Sequence, residues 1–248
     1  MFDIKRKENK WTIFIYELIG TGQLFYGFCQ ANNNLLAGLA NLLAVFIFLA
    51  PVSGAMLNPA QTFGNYVLAG NYEEDLEMFI IYSAAQYIGG FIGVAMSLYS
   101  PKAPVYPSHE IDALEWMQTV GRVHPRSFVC LGDCRWLQTF FTHLFVCTFY
   151  YFCCQLPRIK GTKLNKDTML YGLLMITMLF SSICVGMPFW FAGSLNPAMS
   201  LASMLLMPEK KFNDGVGYNK FWLVYMVAPY LAGAISSYAH KFHAKVCE

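Results

Sequence analysis

Two copies of the triplet Asn-Pro-Ala, at Asn58-Pro59-Ala60 and Asn196-Pro197-Ala198, are the residues of this chain best suited to act on another molecule. Each asparagine directly precedes a proline. Asparagine is a good helix N-cap, and proline suits the first helical position, where its missing N–H is no loss. Each triplet follows small residues and a leucine: Ser53-Gly54-Ala55-Met56-Leu57 before the first, Ala192-Gly193-Ser194-Leu195 before the second. The chemistry on offer is hydrogen bonding and helix polarity rather than bond breaking. No nucleophile–base pair, phosphate-cradling glycine loop or known enzyme motif is evident, so the chain is expected to be no enzyme and to need no cofactor. One triplet is a weak signal. One in each half, between apolar segments, predicts a membrane pore built from two repeats.

Other reactive side chains point less clearly to a task. Cys130 and Cys134 stand in a polar loop and could pair or help bind a metal, but without a second Cys/His pair at zinc-site spacing free thiols are the favoured reading and no metal is expected. The other cysteines fall mostly inside apolar segments, where they act as small hydrophobes. Glu73, Glu74, Asp75 and Glu77 read as a solvated helix start that complements the helix dipole.

These residues need a scaffold, and composition says which. Of 248 residues 56% are hydrophobic and 13% charged, with a mean hydropathy of +0.40. Soluble domains carry about 25% charged residues, so the lipid bilayer is the natural solvent and partner. The net charge of +2 comes without a basic patch interleaved with aromatics, which argues against nucleic acid. The segment 1–10 is polar, and the apolar run after it reads as a retained span rather than a cleaved signal.

A bilayer crossing takes about 20 apolar residues. Six spans are expected, at 11–30, 35–50, 78–99, 136–155, 168–188 and 221–242, with Trp11, Trp136 and Trp222 as interface anchors. Two shorter stretches, 59–69 and 197–207, would each rise about 15 Å as helices, half the hydrocarbon thickness. They read as re-entrant half-helices that begin at the triplets. The order span, span, half-span, span occurs twice. Three spans per repeat is odd, so the repeats must have inverted topology. The chain is thus read as one all-α membrane domain over 1–248, with a first repeat at 11–99, a linker at 100–135 and a second repeat at 136–242. Residues 111–120 of the linker suit a short amphipathic helix. Ten of the 17 Lys and Arg fall on the side of the termini. The positive-inside rule then puts both termini in the cytoplasm or its organellar equivalent.

The chain resembles the aquaporin, or major intrinsic protein, family over roughly 11–242. The likeness is carried by Tyr16-Glu17-Leu18-Ile19-Gly20-Thr21, by Ser53-Gly54-Ala55-Met56-Leu57-Asn58-Pro59-Ala60-Gln61-Thr62, and by Ala85-Gln86-Tyr87-Ile88-Gly89-Gly90. Trp222 and Val227-Ala228-Pro229-Tyr230-Leu231-Ala232-Gly233-Ala234 complete it. The resemblance implies an aquaporin-like bundle of six transmembrane helices, with two half-helices meeting end to end at the midplane. It implies a passive channel for water or small neutral solutes and, by family habit, a homotetramer. Asn58 and Asn196 would offer N–H groups to a passing oxygen. Glu17, and His143 at the matching place in the second repeat, would support the loops that carry the triplets.

By the same resemblance the outer constriction falls on Gly38 (or Ala37), Cys184, Gly193 and Met199. Met199 takes the place where the family usually has arginine, and Met56 a place where it usually has histidine. The constriction is expected to be small, apolar and without fixed charge. Ser200 stands where glycerol-type members carry an acidic residue, so a dedicated glycerol channel is not expected. The bulky run Met187-Pro188-Phe189-Trp190-Phe191 suits packing near the outer mouth. The competing reading is a pore-silent aquaporin-like subunit of a larger membrane complex.

Overall fold

The computed structural model describes residues 9–30, 35–100, 136–156, 167, 169–170, 172–174, 176–177, 195–206 and 222–247. Among them are helices α1 (Lys10–Gln30), α2 (Leu35–Leu49), α3 (Pro59–Ala69), α4 (Tyr72–Tyr99), α5 (Trp136–Gln155), α6 (Pro197–Leu206) and α7 (Trp222–Cys247). Helical residues within 169–177 belong to the expected fifth span. Among the described residues there is no strand. The linker with Cys130 and Cys134, the run 187–191, Cys184 and Gly193 lie outside the described residues.

Two helices are longer than their apolar patterns suggest. α4 begins at Tyr72 rather than at 78, because Glu73, Glu74 and Asp75 occupy its first turn and favour its positive end. Asp75 is buried, against the expectation of a wholly solvated start. α7 runs to Cys247 rather than 242, and its last turn carries Lys245. α3 stops at Ala69 because Gly70 turns to φ 79° and donates its N–H to the Tyr66 carbonyl. Lys241 Nζ reaches the Val67 carbonyl at 3.2 Å, a cation at the negative end of α3. Lys10 and Glu77 join the starts of α1 and α4 at 2.6 Å; as an exposed pair they contribute at most about 1 kcal/mol.

Small residues let backbones touch. A Cβ on Gly89 would strike the Leu18 carbonyl, and one on Gly93 the Gly22 carbonyl, so α1 and α4 pack main chain to main chain. The half-helices are exchanged between the repeats. α3 sits on α7, where Gly233 lies against the Ala60 carbonyl, and α6 sits on α4, where Gly90 faces the Ala198 methyl. Gly90 and Gly233 are matching positions of the two repeats, as are Tyr87 and Tyr230. The hydroxyls of those tyrosines lie 2.7 Å apart. Contact between matching residues puts them on the axis that relates the inverted repeats.

The polarity is that of a membrane protein. Ile15, Ile19, Phe48, Ile80, Phe91 and Ile235 point outward, while Glu17, Thr62, Gln86, His143, Gln155 and Ser237 are buried. Cys29, Cys147, Cys153 and Cys154 are buried and in no disulfide among the described residues, as small hydrophobes should be. Among the described residues, α4 is long and apolar enough by itself to cross a bilayer. α1 and α7 dilute their apolar character with groups that face other helices rather than lipid.

Candidate functional site

The approach to the first triplet is an unusual piece of backbone. Gly54, Ala55 and Leu57 have φ of 85°, 45° and 50°. For alanine and leucine that left-handed conformation costs about 1–2 kcal/mol each. Glu17 holds it in place. Its Oε1 accepts from Ser53 Oγ at 2.6 Å and from the Met56 N–H at 3.0 Å. Its Oε2 accepts from the Leu57 N–H at 2.8 Å and from Gln86 Nε2 at 2.8 Å. Gln86 in turn bonds Thr62 Oγ1, which donates to the Asn58 carbonyl. Tyr82 donates its hydroxyl to the Ser53 carbonyl at 2.5 Å. Because a trans peptide sets C=O opposite N–H, the carbonyls of Ala55 and Met56 face away from Glu17. The Met56 side chain turns into the core against Ile13, Met78 and Tyr82, with Asn65 Nδ2 on its sulfur.

The triplets meet through reciprocal bonds. Asn58 caps α3, its Oδ1 accepting from the Ala60 and Gln61 N–H groups. Its Nδ2 crosses to the Leu195 carbonyl at 2.9 Å. Asn196 does the converse: Oδ1 accepts from the Ala198 N–H, and Nδ2 donates to the Leu57 carbonyl at 2.7 Å. Each asparagine thus caps its own half-helix and clasps the residue ahead of the other triplet. Pro59, Ala60, Pro197 and Ala198 are all buried at this junction. Two positive helix ends therefore converge on one place.

The expected supporting residues divide. Glu17 is assembled with its loop; His143 is buried edge-on to Tyr225, with ring centroids 4.9 Å apart. Of the expected constriction, Met199 is half-buried against the cluster that holds Leu24, Phe25, Leu42 and Ala198. Gly38 is buried, but the space beside it is not open, because the Phe28 ring fills it. Ala37 is helical, and Cys184 and Gly193 lie outside the described residues.

Sequence reasoning missed four members of the site. Ser53, Thr62 and Gln86 stood inside the family-like motifs without a role, although three polar side chains in apolar segments call for partners. Tyr151 carried no motif at all. It is fully buried, donates its hydroxyl to the Leu195 carbonyl and receives the Asn58 amide at 3.4 Å.

An all-helical inverted repeat with two opposed half-helices defines a class of membrane channel protein. The model of the major intrinsic protein family matches residues 31–240, and the chain belongs to that family. It is accordingly a multi-pass integral membrane protein of the channel class. A solved structure described as the aquaglyceroporin from Plasmodium falciparum is similar in fold, with a TM-score of 0.62 at 18% identity over 96% of this chain and 97% of that one. No individual curated protein matches the chain significantly.

Proposed function

We propose that the chain conducts water or small neutral solutes passively, through a pore centred on Asn58 and Asn196. The observation that carries this reading is the reciprocal clasp between the triplets. It orients both amides at one point and aims two helix N-termini there, each worth about half a positive charge. A neutral solute arriving with an oxygen meets donors; a cation meets opposing dipoles. The outward-turned carbonyls of Ala55 and Met56 supply acceptors along the approach. Met199 adds no charge, so cation exclusion rests on the half-helices. The solute-binding roles of the triplets, and the constriction of Gly38 or Ala37, Cys184, Gly193 and Met199, belong to this proposal.

We place both termini on the cytoplasmic side, in keeping with the basic residues, and take the homotetramer as the assembly that the family resemblance favours. The test is flux in reconstituted vesicles. Osmotic shrinkage should exceed that of empty vesicles and fall to their level with Asn196→Asp. Wild-type flux equal to that of empty vesicles would sink the channel reading.

One observation favours the pore-silent alternative. Asn58 Nδ2 has two acceptors, Leu195 O and Tyr151 Oη, which occupies a donor that a solute would need. Under that reading the protein purifies with fixed partners, and Tyr151→Phe restores conduction.

A further inference from the structure

The resemblance assigns the aromatic position of the outer constriction to Gly38 (or Ala37), and Gly38 has no side chain. The structure shows what occupies the vacancy. A Cβ built on Gly38 would lie 2.7 and 2.8 Å from Cδ1 and Cε1 of Phe28. The edge of the Phe28 ring therefore stands where a side chain from α2 would begin.

The direction of Phe28 follows from α1 itself. Ile19 is exposed on the outer face of α1 at 59%. Phe28 comes nine residues later, about two and a half turns, and so projects from the opposite face. The flanking sectors are taken by neighbours. Gly20 and Gly27 lie against Leu49 and Asn41 of α2, while Leu18 and Gly22 lie against Gly89 and Gly93 of α4. Phe28 projects between them, in line with Leu24 one turn back and with Glu17. Glu17 binds the loop ahead of Asn58, and Phe28 is about 16 Å further along α1. That depth is on the far side of the triplets from the chain start, where Gly38 also sits. Phe28 is half-buried and packs on the same cluster as half-buried Met199.

We propose that the Phe28 ring forms the aromatic wall of the outer constriction and, with Met199, sets the size limit for uncharged solutes. This rests on the channel reading above for its function, though not for its geometry. The wall has moved from the second span to the first. A ring face and a thioether offer neither charge nor a hydrogen-bond donor, so selection there is by cross-section.

Two measurements test it. In vesicles, Phe28→Ala should raise the glycerol-to-water permeability ratio about fivefold or more, and Phe28→Leu by less. The double variant Phe28→Ala/Gly38→Phe should bring the ratio back toward wild type. An unchanged ratio in a conducting Phe28→Ala or Phe28→Leu protein overturns the proposal. The second measurement needs no flux. Phe28→Cys should react with a small charged methanethiosulfonate reagent, read by peptide mass, at least tenfold faster than Ile19→Cys. Equal rates overturn the proposal. Fast labelling in a protein that passes no water would keep the Phe28 wall and discard the channel reading.

Discussion

The two triplets end in the same clasp, but the positions that brace the first carry different residues in the second repeat. In the first repeat, Glu17 gathers four donors, from Ser53, Met56, Leu57 and Gln86, and Thr62 links Gln86 to the Asn58 carbonyl. The matching positions of the second repeat are His143, Phe191, Pro229 and Ser200. Pro229 has no side-chain donor to replace Gln86. The buried Ser200 hydroxyl, at the place of Thr62, finds no hydrogen-bond partner among the described residues. The Asn-Pro-Ala geometry therefore does not require one particular polar scaffold. It follows from asparagine capping its own helix while its amide reaches across to a neighbouring carbonyl. The scaffold decides how firmly each loop is held, and the first is held by a carboxylate with every acceptor direction in use.

That asymmetry has measurable consequences. Glu17→Gln places an amide among four donors and should cost about 3 kcal/mol. It should lower the thermal midpoint in detergent by several degrees and abolish flux. His143→Gln, at the matching place in the second repeat and packed edge-on to Tyr225, should cost about 1 kcal/mol. Equal losses would mean that the second loop is as tightly braced as the first. Next in size, Asn58→Asp and Asn196→Asp each replace a cross-repeat donor with an acceptor facing a carbonyl. Water flux should fall at least tenfold in both, about 1.4 kcal/mol in the barrier. A drop in one alone would show that the triplets are not functional equals.

Met199→Arg adds the charge that the second half-helix lacks. Glycerol flux should fall more than water flux, and any proton leak should diminish. Unchanged selectivity would place Met199 away from the passage. Smallest of all, Tyr87→Phe breaks the hydroxyl contact with Tyr230 on the axis between repeats. It should cost about 1 kcal/mol by chemical denaturation and leave flux intact.

Much of the architecture was readable from particular residues. Proline directly after asparagine marked the starts of α3 and α6, and their lengths marked them as half-spans. Glu17, a lone acid in an apolar span, had to find donors within the protein. The end of α5 at Gln155 agreed with its apolar run. The early start of α4 did not, because an acidic first turn carries no apolar signal. Gly38 was legible as a missing side chain but not as a filled space, since its occupant lies on another helix.

The sequence by itself determined the solvent, the repeat and the two helix starts, because apolar length, proline position and capping are local properties of the chain. Tertiary structure alone decided that each asparagine clasps the opposite repeat, that Gln86 and Thr62 complete the support of Glu17, and that Phe28 fills the place beside Gly38. Those contacts join residues far apart in sequence, and only the packing of helices through their glycines brings them within hydrogen-bond or van der Waals reach.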